Sequence, residues 1–486
     1  MIDSNCQEKT NMWYDNLENK RLWKIFSDIS AIPRESGNEE GIRQYLLAWA
    51  KDHGIKAFSD SVGNVIMKVP ATKGYEDYPS IALQGHMDMV CVKREGSNHD
   101  FTKDPIEVMT DGEKVWAKDT SLGADNGIAI ALALDIFSDE NAVHGPLEGI
   151  FTVNEEVGLT GAENVEAKDI DSRRLLNLDS EEEGIFYIGC AGGIEVTGEK
   201  RCYWEKAEGE TVLIKVSGLC GGHSGGEIHK ERANSIKILG RALNRIPSFR
   251  IASIKGGTRR NVIPSTAEAE ILVSDRAVVE SVIQNLQKEL EVEYKYSDPG
   301  ITLTVESGEE KDMVLTESLS RKIADTIFTS PTGVRSWSMA LKGVVETSDN
   351  MAIISMDRKN VSIIYSIRSS VETSKLNLAY EIQTLLEGNG FKVKIGGGYP
   401  AWAPNPDSKF TKEVSQAYRK ITGKDPVITA IHAGLECGTI NDRIPGMDSL
   451  SIGPNLFDVH SVNEHVEVAS AERIASFVKE MLKEIK

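Results

Sequence analysis

A chain of 486 residues exceeds what one ordinary hydrophobic core supports, so two domains are the first expectation. With 40% hydrophobic and 27% charged residues the composition is that of a soluble globular protein, and a formal net charge of -19 opposes phosphate backbones and anionic lipid, so nucleic-acid and membrane partners are excluded from the reading. Six scattered cysteines (Cys6, Cys91, Cys190, Cys202, Cys220 and Cys437) form no Cys-x-x-Cys pair, the start is polar, and no apolar run reaches membrane length, which together exclude a disulfide framework and point to the cytoplasm.

In chain order, the first 190 residues alternate short apolar runs with helical patterns, the texture of an α/β domain. Strands are predicted at Tyr78–Gln84, Leu147–Val153 and Arg174–Leu178, with a buried helix at Gly127–Phe137 between the first two. The middle, from about 195 to 395, reads differently. A strand and turn at 211–221 precede a helix at Arg232–Arg245, and a strand at 360–370 precedes a helix at Lys375–Leu386. The repeated order predicts two related α+β halves side by side. The last 90 residues return to the first texture, with helices at Lys412–Thr422 and from Ser470 onward, so the middle is read as an insertion into a discontinuous domain.

Four acidic or histidine clusters fall where apolar runs stop: QGHMDMV after 78–84, GADNG opening the helix at 127, NEEVG after 147–153, and NLDS ending 174–178. Open α/β sheets place their sites beyond the carboxyl ends of the strands, so these clusters can converge. Imidazole and carboxylate donors suit a zinc site that keeps one position open for water, and two metals about 3.5–4 Å apart can share a carboxylate. Asp125 is the natural bridge, in a loop that tightens around Gly123 and Gly127. His86 and Asp88 share a face if the chain is extended there, which suits a ligand and the carboxylate that orients its ring. Glu155 and Glu156, adjacent on an extended segment, point apart and take different tasks: one binds metal and the other is the general base. The residues alone leave open which is which. Asp125 and Asp179 taken singly read equally well as a helix cap and an Asx turn.

The fuller motifs QGHMDMV, LGADNGIAIALAL, TVNEEVGLTGA, NLDSEEEG and DVHSVNEHV, in this order, and HAGLECG at 432–438 resemble, over essentially the whole chain, the aminoacyl-histidine dipeptidases. These are also called cytosolic non-specific dipeptidases or peptidase D, and belong with carnosinases to the co-catalytic dizinc peptidases. The resemblance implies a zinc-exopeptidase-type α/β catalytic domain with a mixed sheet flanked by helices, at 1–195 and 396–486, interrupted at 196–395 by a doubled ferredoxin-like α+β lid. It implies one zinc on His86, Asp125 and Asp179 and another on Asp125, Glu156 and His460, with manganese or cobalt as substitutes. Glu155 becomes the general base for a metal-activated water, Asp88 the orienting aspartate and His223 the lid histidine that stabilises the oxyanion. Asn261, Arg368 and the Gly434-Leu435 loop match substrate-holding residues, with His432 a weaker candidate beside them.

The implied reaction is hydrolysis of unblocked dipeptides, Xaa-His included, with lid closure excluding water. A homodimer is compatible with the sequence, a lid histidine then serving the neighbouring site. The alternative within the same fold is an N-acyl amino acid amidohydrolase or a tripeptidase. One departure from the resembled pattern is Val462, where many relatives carry proline after the histidine-serine pair.

Overall fold

The computed structural model describes residues 12–311 and 313–485; Cys6 and most of the polar amino-terminal stretch lie outside the described residues. The chain divides into two compact units, Met1–Ile188 with Asn405–Ala430 and Glu436–Lys486, and Gly189–Pro404 with Ile431–Leu435. The second unit so defined begins before the expected boundary at 196 and runs past that at 395. The cause is the strand Gly192–Arg201, which pairs along its length with Asn360–Ser369 and Lys392–Tyr399.

The first unit is built on an eight-stranded mixed sheet in the order Lys56–Ser59, Val65–Val69, Leu147–Thr152, Ile81–His86, Arg174–Asn177, Asp448–Ser451, Ile185–Cys190 and Val427–Ile431. The four strands from Leu147–Thr152 to Asp448–Ser451 run parallel. Leu147–Thr152 and Ile81–His86 are buried at every position, as strands covered on both faces must be. The predicted start at Tyr78 moves to Ile81 because Pro79 has no N–H to give the ladder. The helix Ala124–Phe137 is mostly apolar and every residue of it except Asp125 is buried, with Asp135 paired to Arg21 and Lys479. It packs on the strand Ile81–His86 and against the helices Lys20–Ser30 and Val468–Glu484.

A smaller sheet in the same unit orders Leu456–Phe457, His465–Glu467, Lys114–Ala117 and Val108–Thr110. The first two strands form a hairpin whose loop contains His460, and the third leads into the turn before Asp125. Two segments far apart in sequence are thereby set side by side.

The second unit carries one sheet of nine described strands, eight of them in two β-α-β-β-α-β halves and the ninth, Gly333–Trp337, paired to Val345–Met356. In one half the strands Glu210–Ser217, Arg250–Gly256, Ala267–Val273 and Thr302–Ser307 lie in the order fourth, first, third, second, with helices Ser235–Arg245 and Arg276–Glu293. In the other, Gly192–Arg201, Val345–Met356, Asn360–Ser369 and Lys392–Tyr399 mirror that order, with helices Glu317–Thr329 and Glu372–Gly388. The halves join where Gly256 pairs with Ile354. The first half is inserted between the opening strand of the other and its helix, a nesting the sequence pattern did not reveal. Asn234 shortens the predicted helix at Arg232 to Ser235 by capping it, its side chain accepting from the Ile236 and Lys237 amides at 3.0 and 3.2 Å.

Candidate metal centre

His86 closes a fully buried strand, so its ring projects at the carboxyl end of the parallel sheet. Its Nε2 lies 3.1 Å from Asp125 Oδ1 and 3.6 Å from Asp179 Oδ1, and its Nδ1 lies 3.3 Å from Asp88 Oδ1. Asp88, fully buried, accepts from Ser36 Oγ at 2.7 Å and from the amides of Glu155 and Glu156 at 3.0 and 3.2 Å. Burial alone would raise this carboxyl, but its hydrogen bond with His86, then Ser36 and the Glu155 amide, bring it down to about 2.

Asp125 sits just past Gly123, whose φ of 69° is the left-handed conformation that glycine tolerates. Both its oxygens are engaged, because Oδ2 lies 2.9 Å from His460 Nε2 while Oδ1 faces His86. Asn126 next to it ties two strand ends together, its Oδ1 accepting from the His86 amide at 3.2 Å and its Nδ2 donating to Leu178 O at 3.3 Å.

The Glu155-Glu156 segment is not extended. The strand stops at Thr152, Asn154 takes a positive φ of 52°, and a turn follows in which both glutamate amides point at Asp88. The two side chains nonetheless differ in surroundings. Glu156 Oε1 lies 3.0 Å from His460 Nε2, whereas Glu155 is half-buried with the carboxylates of Glu436, Glu156 and Asp125 around it. His460 itself has a positive φ of 59° and is 47% exposed at its side chain, against 1% for His86, so the centre opens to solvent on the His460 side.

This donor set fits a divalent cation. The candidate ligand atoms of His86, Asp125 and Glu156 all lie within 4.8 Å of one another. Asp179 Oδ1 is buried without a hydrogen-bond partner, a state that costs free energy unless a cation or proton meets it. Burial would depress the His86 ring, yet Asp179, Asp125 and Asp88 together hold it well above its ordinary value. Hydrogen bonds to Asp125 and Glu156 push His460 up to about 11. Burial raises Asp179 and Glu155, with neighbouring like charges adding to it. A pocket that draws protons this strongly favours positive charge, and a metal ion takes the place of those protons on binding.

The remaining sequence-predicted residues belong to the second unit. Gly222–His223 pairs with Val262–Ile263, and the Ser224 amide donates to Asn261 O at 2.9 Å, so His223 and Asn261 are neighbours. His223 Nδ1 accepts from the amides of Gly225 and Gly226 at 3.2 and 3.0 Å. Arg368 Nη1 donates to Tyr399 Oη at 2.6 Å, and a methyl at Gly434 would strike the same Tyr399 ring. Leu435 O accepts from Cys190 Sγ at 3.7 Å. His432 is buried with its Nε2 2.7 Å from Ser348 Oγ, and Ser348 pairs with Arg368 across the strands.

Sequence reasoning missed several residues that hold the centre. Buried Arg34 donates to Met87 O and Asp88 O at 3.1 and 3.0 Å and also to Gly123 O. Buried Glu464 accepts from four successive amides, Leu122 to Asp125. Buried Glu436 accepts from Gln84 Nε2 and, at 2.7 Å, from Thr152 Oγ1, under the ends of two parallel strands. Glu464 and Glu436 lie inside quoted motifs, which was the available signal; Arg34 lies in none.

Residues 82–484 match the sequence model of peptidase family M20/M25/M40. The chain is 39% identical over 471 residues to the cytosol non-specific dipeptidase of Escherichia coli (strain K12), covering 96% of this chain and 97% of that protein. It resembles the crystal structure of aminoacylhistidine dipeptidase from Vibrio alginolyticus with a TM-score of 0.92 at 34% identity, over 98% of this chain and 99% of that one. Aminopeptidase PepT from Bacillus cereus shares the fold, with a TM-score of 0.57 at 17% identity, over 96% of this chain and 99% of that one.

Proposed function

The chain belongs to peptidase family M20/M25/M40, and from that membership we propose that it is a metal-dependent dipeptidase cleaving unblocked dipeptides, Xaa-His among them, at a dinuclear centre. Zinc is the metal this donor set favours, with manganese or cobalt as substitutes. The observation that carries the reading is the sharing of one carboxylate, with Asp125 Oδ1 toward His86 at 3.1 Å and Oδ2 toward His460 at 2.9 Å. His86, Asp125 and Asp179 would hold one ion, and Asp125, Glu156 and His460 the other.

When bound, the ions supply Lewis-acid polarisation of the scissile carbonyl and acidify water. The side chains do the rest. Asp88 fixes the His86 ring from its Nδ1 side, and the same carboxylate holds the backbone of Glu155 at 3.0 Å. Glu155 takes the proton from the attacking water and hands it to the departing amine; its carboxyl, raised by burial, suits transfer near neutral pH. In His223, two amide donors on Nδ1 leave the neutral ring with its proton on Nε2, the form that donates to a developing oxyanion. Burial first, and Arg368 second, depress its pKa and keep it neutral. Arg368, Asn261 and the Gly434-Leu435 loop are assigned to the substrate's free carboxylate and backbone.

We place the enzyme in the cytoplasm, on the name of the Escherichia coli relative; among the described residues no helix is long and apolar enough to cross a membrane. The test is a dipeptide panel assayed after chelation and after adding back zinc, manganese or cobalt. Alanyl-histidine should be cleaved only with metal and acetyl-histidine hardly at all. Full activity after thorough metal removal sinks the metal reading, and equal cleavage of the acetylated compound favours the amidohydrolase alternative.

A further inference from the structure

The bridging carboxylate belongs to a loop that two buried charged side chains hold. Glu464 is 2% exposed, and its Oε2 accepts from the Leu122 and Gly123 amides at 2.8 and 3.0 Å. Its Oε1 accepts from the Ala124 and Asp125 amides at 2.8 and 3.3 Å. These are the orphan donors of the turn opening the helix Ala124–Phe137, and a single carboxylate satisfies four of them. Glu464 also ends the hairpin loop that contains His460, and the strand beginning at His465 is paired to Lys114–Ala117. One rigid connection therefore runs from the Asp125 backbone to the His460 loop.

Arg34 makes the corresponding connection to the other ligand. It is 2% exposed, its Nη1 donates to Met87 O and Asp88 O at 3.1 and 3.0 Å, and its Nη2 donates to Gly123 O. The Met89 amide returns a bond to Arg34 O at 3.1 Å. A methyl group at Gly123 or Gly127 would run into Arg34 Nη2, which explains why glycine stands at both positions. The guanidinium thus fastens the loop that follows His86 to the loop that holds Asp125.

We propose that Glu464 and Arg34 are positioning residues with separate assignments: Glu464 sets Asp125 against His460, and Arg34 sets Asp125 against His86, so that each governs one of the two metal sites. The inference rests on the dinuclear reading above. Neither residue supplies a ligand atom; each acts through backbone groups of the Asp125 loop. A purely structural role for either would lower the unfolding temperature and loosen both sites alike.

The test is zinc binding to the metal-free protein in competition with a chelator, with the fold of each variant checked by circular dichroism. Wild type should take up two ions. Glu464→Gln replaces one of the two acceptor oxygens by a donor, and should leave one ion at wild-type affinity while weakening the other on the order of 10–100-fold, the usual cost of an outer partner. In a His460→Ala background, where only the His86 site remains, Glu464→Gln should have no further effect and Arg34→Lys should weaken the remaining ion. In a His86→Ala background the pattern should reverse. If Glu464→Gln does not fold, Glu464→Asp, which shortens the reach but keeps both oxygens, is used instead. Equal weakening of both ions by either variant, or no weakening by both, overturns the assignment. Failure of wild type to bind any metal would instead overturn the dinuclear reading itself.

Discussion

The two units hold two pairs of histidines in opposite electrostatic settings. In the first unit, carboxylates converge on His86 and His460, and both rings sit far above their ordinary values. In the second, burial and the Arg368 guanidinium act together, lowering His223 and taking His432 down to about 3. The side chain is the same and the neighbours decide its use. Under the proposed function, the rings drawn toward positive charge would take a cation, whereas a ring kept neutral, such as His223, would donate one hydrogen bond without adding a charge.

The comparison breaks first if Asp125 is not the shared element. Asp125→Ala should remove both ions and cut turnover by far more than the 10–100-fold typical of an outer partner, read by elemental analysis and steady-state kinetics. Glu155→Gln sharpens it: metal content should stay at the wild-type level while kcat falls on the order of 10³-fold with KM little changed. If metal is lost as well, Glu155 is a ligand rather than the base. On the neutral side, His223→Ala should lower kcat by about 10²-fold, the cost of one oxyanion donor, and leave metal affinity unchanged. Arg368→Met should act mainly on KM, by about 10-fold or somewhat more, and should abolish the preference for a dipeptide over its carboxyl-terminal amide.

The smallest effect concerns stability. Asp349 in the second unit is fully buried with neither oxygen hydrogen-bonded, and burial raises it to about 7. A carboxyl raised in the folded state holds a proton that the unfolded chain releases. Its contribution is therefore fully present below about pH 4 and is lost as pH rises through about 7. Asp349→Asn should stabilise the protein by on the order of 2 kcal/mol at pH 8 and show no such gain at pH 4, measured by urea unfolding at both values. An equal gain at both would mean that the proton is irrelevant.

Much of the centre was legible because strand ends announce themselves. His86, Asp179 and the glutamate pair follow apolar runs, and the strands appear within a few residues of their predicted places. What stayed hidden works through the backbone. Nothing in Glu464 as a letter says that it will collect four amides, and Arg34, itself outside every motif, reaches three carbonyls. The division of tasks between Glu155 and Glu156 was expected from an extended segment, and the turn at Asn154 removes that argument. Their different surroundings come from partners far away in sequence, His460 for one and the buried acids for the other.

The nested halves of the second unit bear on how the chain folds as it is made. Gly192–Arg201 leaves the ribosome early, yet its partners Asn360–Ser369 and Lys392–Tyr399 follow only after the entire inserted half. The inserted half pairs its four strands among themselves, apart from the contact of Gly256 with Ile354, and can close first through shorter loops. Until then the early strand keeps both edges unpaired, the state most prone to sticking to other chains. Its charged residues, Glu195 and the run Glu199, Lys200 and Arg201, fall along that waiting strand, the residue types that discourage edge-to-edge pairing.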